Sequence, residues 1–179
     1  FRHSQQIGLD LVVHADQLSR TGAANFGVGV GAASVDHVVH INKNDIKRLA
    51  GSSTVAVLLP AADLYMQIPY PPARRLIDGK ACVALATDFN PGTSPTQDLA
   101  LVGLLARLEM KMTLPEVLSA YTVGASHALR LSDQVGSLSK GKAADFIVAD
   151  FAWTDFFYQV GIPLVRETWS MGRRIFTAR

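Results

Sequence analysis

Ala81-Cys82-Val83-Ala84-Leu85-Ala86-Thr87-Asp88 is a short apolar run, without polar alternation, that ends in a carboxylate. Strands covered on both faces read this way, because each side of the pleat meets a hydrophobic layer. Three earlier runs share its character: Leu9 to His14, Ser34 to Val38 and Thr54 to Leu59. Amphipathic stretches of helical length lie between them. Asn42 to Leu49 sets Ile46 and Leu49 three apart among Lys43, Lys47 and Arg48, and Pro72 to Asp78 follows a proline pair suited to a helix start. Strand alternating with helix predicts an α/β fold, a parallel sheet with right-handed crossovers. Four such units do not close an eight-stranded barrel, which takes about 250 residues. The expectation is therefore the second half of a (β/α)8, TIM-type barrel.

Downstream the pattern changes. Helices are predicted from about Thr96 to Met110, from a capping box at Thr113-Leu114-Pro115-Glu116, and from about Val123 to Leu131. The turn-rich run from Gly136 to Asp145 leads into a strand at Phe146 to Ala149. Two more strands, Leu164 to Ser170 and Arg174 to Thr177, read as a hairpin through Met171-Gly172. The division expected is residues 1–135 for the barrel portion and 136–179 for part of a small C-terminal β-sandwich domain.

The whole chain has 179 residues, 49% of them hydrophobic and 18% charged, which excludes disorder for most of its length. A net charge of +2, with no Lys or Arg run longer than a pair, speaks against a nucleic-acid or anionic-membrane partner. The longest apolar stretches, such as Leu99 to Ala106, fall short of the roughly 18 residues a membrane span needs. One cysteine, Cys82, cannot form an internal disulfide and reads as an inert thiol in an apolar strand. A cytoplasmic location is expected. The chain opens at Phe1, without an initiator Met and in what reads as mid-helix, so an upstream portion is expected as well.

In parallel α/β proteins, side chains at the carboxyl ends of strands face the site. The first run ends in His14, followed by Asp16 and Gln17; the second ends in Asp36-His37; the fourth ends in Asp88. Two imidazoles and a carboxylate at one barrel mouth suit Zn²⁺ or a similar metal with a position left open for water. Taken alone, His14 could equally be a hydrogen-bonded structural residue, and Asp88 reads first as a turn or cap residue before Asn90-Pro91-Gly92. The stretch from Asn90 through Gly92, Thr93 and Ser94 to Thr96 reads as a turn with Ser94 or Thr96 capping the next helix, and its amides and hydroxyls could hold a carboxylate. His40 is read as structural, and His3 and His127 as surface or packing residues. Gly27-Val28-Gly29-Val30-Gly31 is read as a helix end with close packing, not a nucleotide loop.

Together, His14-Ala15-Asp16-Gln17, Ser34-Val35-Asp36-His37, the run Thr54 to Pro60, and Ala86-Thr87-Asp88-Phe89-Asn90-Pro91-Gly92-Thr93-Ser94 resemble the imidazolonepropionase family of the amidohydrolase superfamily. The run from Gly136 to Asp145 is similar to that superfamily's return to its small β domain. The resemblance covers nearly the whole chain. It implies hydrolytic opening of 4-imidazolone-5-propanoate to N-formimidoyl-L-glutamate, with one Zn²⁺ or Fe³⁺ ion per site. It further implies metal ligation by His14 and Asp88, proton handling by Asp88 and His37, ring contact by Gln17, and substrate or product contact by Asn90, Gly92 and Thr93. The family's His-x-His pair and its further arginine, tyrosine and histidine have no counterparts in this sequence. Another cyclic amidase or aminohydrolase of the superfamily, or a non-catalytic partial chain needing a separate N-terminal half, are the competing readings, and a homodimer is a possible assembly.

Overall fold

The computed structural model describes residues 1–159, 161–163 and 165–178. Its main sheet is four parallel strands in sequence order: β1 (Val12–Ala15), β2 (Ser34–His37), β3 (Val55–Leu58) and β4 (Val83–Leu85). This order puts consecutive βα units side by side. Helices α3 (Lys43–Ala50) and α5 (Ala73–Asp78) fall where the sequence places them; α2 (Ala23–Gly29) runs through Gly27 to Gly29, part of the stretch read as a helix end, and α1 (Arg2–Gln6) precedes β1. Asn42 caps α3 with a capping box to Asp45. Gly27 lets α2 lie flat on the sheet, since a Cβ there would run into the side chain of Val35. The core is built from Val13, Val35, Ala56, Leu58 and Leu85 on the sheet, with Ile46, Leu49, Leu76 and Val102 from the helices.

Three elements differ from expectation. A helix α4 (Pro60–Met66) follows β3 immediately, with Pro60 in its first turn; the sequence ends the strand at Leu59 and places no helix before Pro72, because apolar content alone does not separate helix from strand. The helix after β4, α6 (Leu99–Leu108), starts later than Thr96 because Asp98 is its cap, accepting from the amides of Ala100 and Leu101. Ser94 is unavailable for that role: its hydroxyl donates to the Thr87 carbonyl at 2.6 Å. The two helices expected beyond Thr113 are one continuous run, α7 (Leu114–Ser119), a π-helical turn (Ala120–Gly124) and α8 (Ala125–Ala128). Thr122 donates to the Leu118 carbonyl and Tyr121 to that of Leu99, which favours the widened turn.

That turn covers an edge. The Ala56 amide donates to the Cys82 carbonyl, so the Val83 carbonyl points away from β3, where Gly124 packs against it. Gly124 thus lies against the outer edge of β4 at the Val83 carbonyl; neither β4 nor β1 has a strand beyond it among the described residues, and Val12 on β1 is 56% exposed. A second, antiparallel sheet holds β5 (Phe146–Val148), β6 (Glu167–Ser170) and β7 (Arg173–Thr177), with Met171-Gly172 in the hairpin. Leu164, where the sixth strand was expected to begin, lies outside the described residues. Among those residues, no helix is long and apolar enough to cross a membrane.

Candidate active site

The register of the sheet decides which side chains meet. His14 pairs with Asp36 and Val12 with Ser34, so these four share the face opposite the helix-packed Val13 and Val35. Strict alternation would send His37 to the helix side. Instead its φ is 73° and that of Val38 is 49°, left-handed values that L-residues, and β-branched ones most of all, adopt under constraint. The imidazole of His37 comes within 4.4 Å, centroid to centroid, of that of His14. Asp88, three residues beyond β4 with φ 54°, brings Oδ2 to 3.9 Å from His37 Nε2. Three strand ends therefore converge, His37 by way of its left-handed backbone.

The His37–Asp88 approach is not an ion pair at neutral pH. Burial, helped by the neighbouring His14, pushes the His37 pKa down to about 4, so the ring is neutral. Its Nδ1 is buried without a partner, and Nε2 is the nitrogen with an acceptor nearby. Burial raises the pKa of Asp88 and His14 opposes that rise. Asp36 is raised by burial too, with its Oδ1 accepting from Ser34 Oγ at 2.7 Å and with Asp88 and His14 acting in opposite senses. The electrostatic coupling among His14, Asp36, His37 and Asp88 makes them one cluster.

Gln17 is buried and its Nε2 donates to Met66 Sδ at 3.5 Å, which ties the β1–α2 loop to α4. The loop is held by Asp16, whose carboxylate accepts from the Thr21 amide (2.6 Å), the Thr21 hydroxyl (2.9 Å), the Gly22 amide (2.8 Å) and the Ala24 amide (3.0 Å). Burial works against its charge, yet these bonds win and its pKa lies below the ordinary value. The Asn90 turn is closed by its own side chains. Asn90 Oδ1 accepts from the amides of Gly92 (2.9 Å) and Thr93 (2.8 Å), while its Nδ2 donates to the Asp88 carbonyl (2.7 Å) and lies 3.1 Å from Thr93 Oγ1. The amides expected to be open for an anion are thus occupied by Asn90, which locks the loop to Asp88.

His14 is exposed and its imidazole makes no hydrogen bond among the described residues, so a nitrogen is free to ligate. Its imidazole and the Asp88 carboxylate both adjoin the His37 ring, and they are N and O donors of the kind Zn²⁺ and iron accept. Among the described residues, no group of three or more His, Cys, Asp or Glu is arranged to hold a metal ion; two donors fit as part of a ligand set and leave the remainder to be supplied. Sequence reasoning gave no role to Asp36, quoted only as the neighbour of His37, or to Asp63, wholly buried on α4. An acid three residues after Pro60 inside an apolar run is the signal that could have found the latter.

Comparison with known proteins gives the family and the fold. A model of the amidohydrolase family matches residues 14–174. The chain is 53% identical to an imidazolonepropionase of Bdellovibrio bacteriovorus over 98% of its own length and 41% of that protein's. For the Deinococcus deserti imidazolonepropionase the figures are 44%, 96% and 43%, and for that of Bacillus mycoides 37%, 97% and 42%. The chain thus spans about two-fifths of the length of the curated relatives it matches. Among solved structures, an adenosine deaminase from Xanthomonas campestris with bound zinc superposes with a TM-score of 0.87 at 19% identity, over 98% of this chain and 47% of that one. A triazine hydrolase from Arthrobacter aurescens does so with a TM-score of 0.84 at 18% identity, over 98% and 45%. At those identities the likeness concerns the fold, an α/β barrel portion followed by a small antiparallel sheet.

Proposed function

The chain belongs to the amidohydrolase family, and on that premise we propose that it carries the second half of an imidazolonepropionase, which opens the ring of 4-imidazolone-5-propanoate with water to give N-formimidoyl-L-glutamate. The observation that carries this reading is the meeting of His14, His37 and Asp88 at the ends of β1, β2 and β4, with the Asn90 turn fastened to Asp88. The relatives in Bdellovibrio, Deinococcus and Bacillus support the substrate. The zinc in the adenosine deaminase structure supports a metal.

His14 and Asp88 are the residues of this chain that would hold one Zn²⁺ or Fe³⁺ ion. Such an ion, when bound, polarises a carbonyl and lowers the pKa of water to about 7. The carboxylate of Asp88 takes the proton of the attacking water as the new C–O bond forms. When the ring C–N bond breaks, the same proton passes to the departing nitrogen, so Asp88 is the base first and the acid second. The neutral His37 offers a donor beside Asp88 and the carbonyl oxygen; with its pKa near 4 it orients and does not carry charge. Gln17 bears no acid and serves by hydrogen bonding the ring. Thr93, whose hydroxyl has only Asn90 as partner among the described residues, reads the propanoate.

The test uses the full-length enzyme carrying this chain, assayed on 4-imidazolone-5-propanoate beside a panel of cyclic amides and aminopurines. Ring opening of imidazolonepropanoate should dominate; preference for an aminopurine would replace this reading with an aminohydrolase one. In the same assay Thr93→Val should raise KM roughly three- to tenfold with kcat nearly unchanged, the signature of one lost hydrogen bond in ground and transition state alike. An unaltered KM removes Thr93 from the substrate site. The open edge of β1 and the two-donor set favour a companion reading, that the 179 residues alone bind metal weakly and gain activity only with the other half-barrel.

A further inference from the structure

Three aspartates among the described residues are almost wholly buried, and they are of two kinds. Asp16 accepts four hydrogen bonds, and Asp45 is held by the Arg20 guanidinium, the Asn42 amide and the Asn25 carboxamide. Asp63 has 0% exposure and neither carboxylate oxygen has a partner. It lies in the first turn of α4, the helix that packs against α6 and whose Met66, one turn on, receives the Gln17 bond. The charge acting on it is that of Asp88, and it is of the same sign. Tyr70, in the segment after α4, is the other titratable neighbour, itself facing Glu109 at the end of α6. The ionic groups of α6 are turned elsewhere: Asp98 caps the helix, and Arg107 donates to the carbonyls of Phe156 and Phe157. A carboxylate in that setting has neither solvent nor a cation, which is the costliest way to bury a charge.

We propose that Asp63 is a proton-operated latch: as a neutral acid it lets α4 seat against α6, and on losing its proton it loosens α4 and with it the Met66–Gln17 contact. Burial and the like charge of Asp88 raise its pKa from 3.8 to about 7, which sets the working range of the device. The unfolded or opened segment loses its proton at the ordinary value, the seated one only near 7. The factor by which the bound proton favours the seated helix is therefore full below pH 4, falls about tenfold per unit between, and is spent above 7. The inference rests on no part of the catalytic reading, because its readout is the order of a helix.

The experiment is amide hydrogen exchange on the full chain between pH 5.5 and pH 8, corrected for intrinsic rates. For wild type the amides of 61–66 should open roughly 30-fold more often at pH 8, the ratio the two titrations give, while α3 stays level. In Asp63→Asn, which keeps the shape and cannot ionise, the α4 amides should show the same protection at both values. Flat protection in wild type overturns the proposal, and so does an equal rise in the variant. Should the Asn variant fail to fold, Asp63→Leu, which cannot ionise either, should likewise protect α4 equally at both values, and a rise in it overturns the proposal in the same way.

Discussion

Asp88→Ala in the full-length enzyme should abolish metal retention and hydrolysis together, with kcat/KM for imidazolonepropanoate down by at least about a thousandfold, within the range that loss of a general base commands. Asp88 is given two tasks, a ligand oxygen and the proton acceptor, and alanine removes both. The Asn variant separates them: its carbonyl oxygen can still ligate, but an amide cannot accept the proton, so metal content should fall less than turnover. His14→Ala should lose metal as Asp88→Ala does, having no further part to play. The fold provides the control. The carboxylate of Asp88 makes no hydrogen bond among the described residues and is partly exposed, so circular dichroism and the urea midpoint should hardly move. Metal content and turnover measured on the same preparations check this. An Asp88→Ala protein with its metal in place and a tenth of its activity would falsify the double assignment.

Much of this arrangement was legible because strand ends are legible. A continuous apolar run that stops at a polar residue announces where a parallel strand leaves the sheet, and His14, His37 and Asp88 all stand at such stops. What alternation could not deliver was the direction of His37, since its left-handed backbone reverses the face that period-two counting assigns. The Asn90 turn was recognisable from composition, yet composition does not say which acceptor its amides prefer, and the nearest one is the Asn90 side chain itself. Helix α4 was hidden by the same apolar continuity that exposed the strands, and Asp63 was hidden with it. The π-helical turn depends on Gly124 meeting a carbonyl 41 positions earlier in the chain, a contact no local pattern contains.

That contact gives the largest stability effect expected from a single methyl group. A Cβ on Gly124 would fall inside the van der Waals envelope of the Val83 carbonyl oxygen, 3.0 Å from its carbon and 3.4 Å from Ala84 Cα. Every atom named is backbone, so no rotamer change relieves the clash; at Gly27 the obstacle is a valine side chain, which can turn. The helix must therefore back away from β4 and loosen the fully buried Val117 and the nearly buried Ala120 behind it. Overpacking of this sort costs about 3 kcal/mol or more. The better helix propensity of alanine returns about 1 kcal/mol. The net loss for Gly124→Ala is then about 2 kcal/mol, a urea midpoint lower by roughly 1–2 M at the slopes usual for small proteins. The displacement also reaches chemistry, because β4 ends three residues before Asp88, and a shifted Asp88 should depress kcat more than it raises KM. Equilibrium unfolding of Gly124→Ala beside Gly27→Ala measures the first effect. A Gly124→Ala midpoint within roughly 0.2 M of wild type, a bound set by about 0.4 kcal/mol at those slopes, means that the turn does not press on β4 at all.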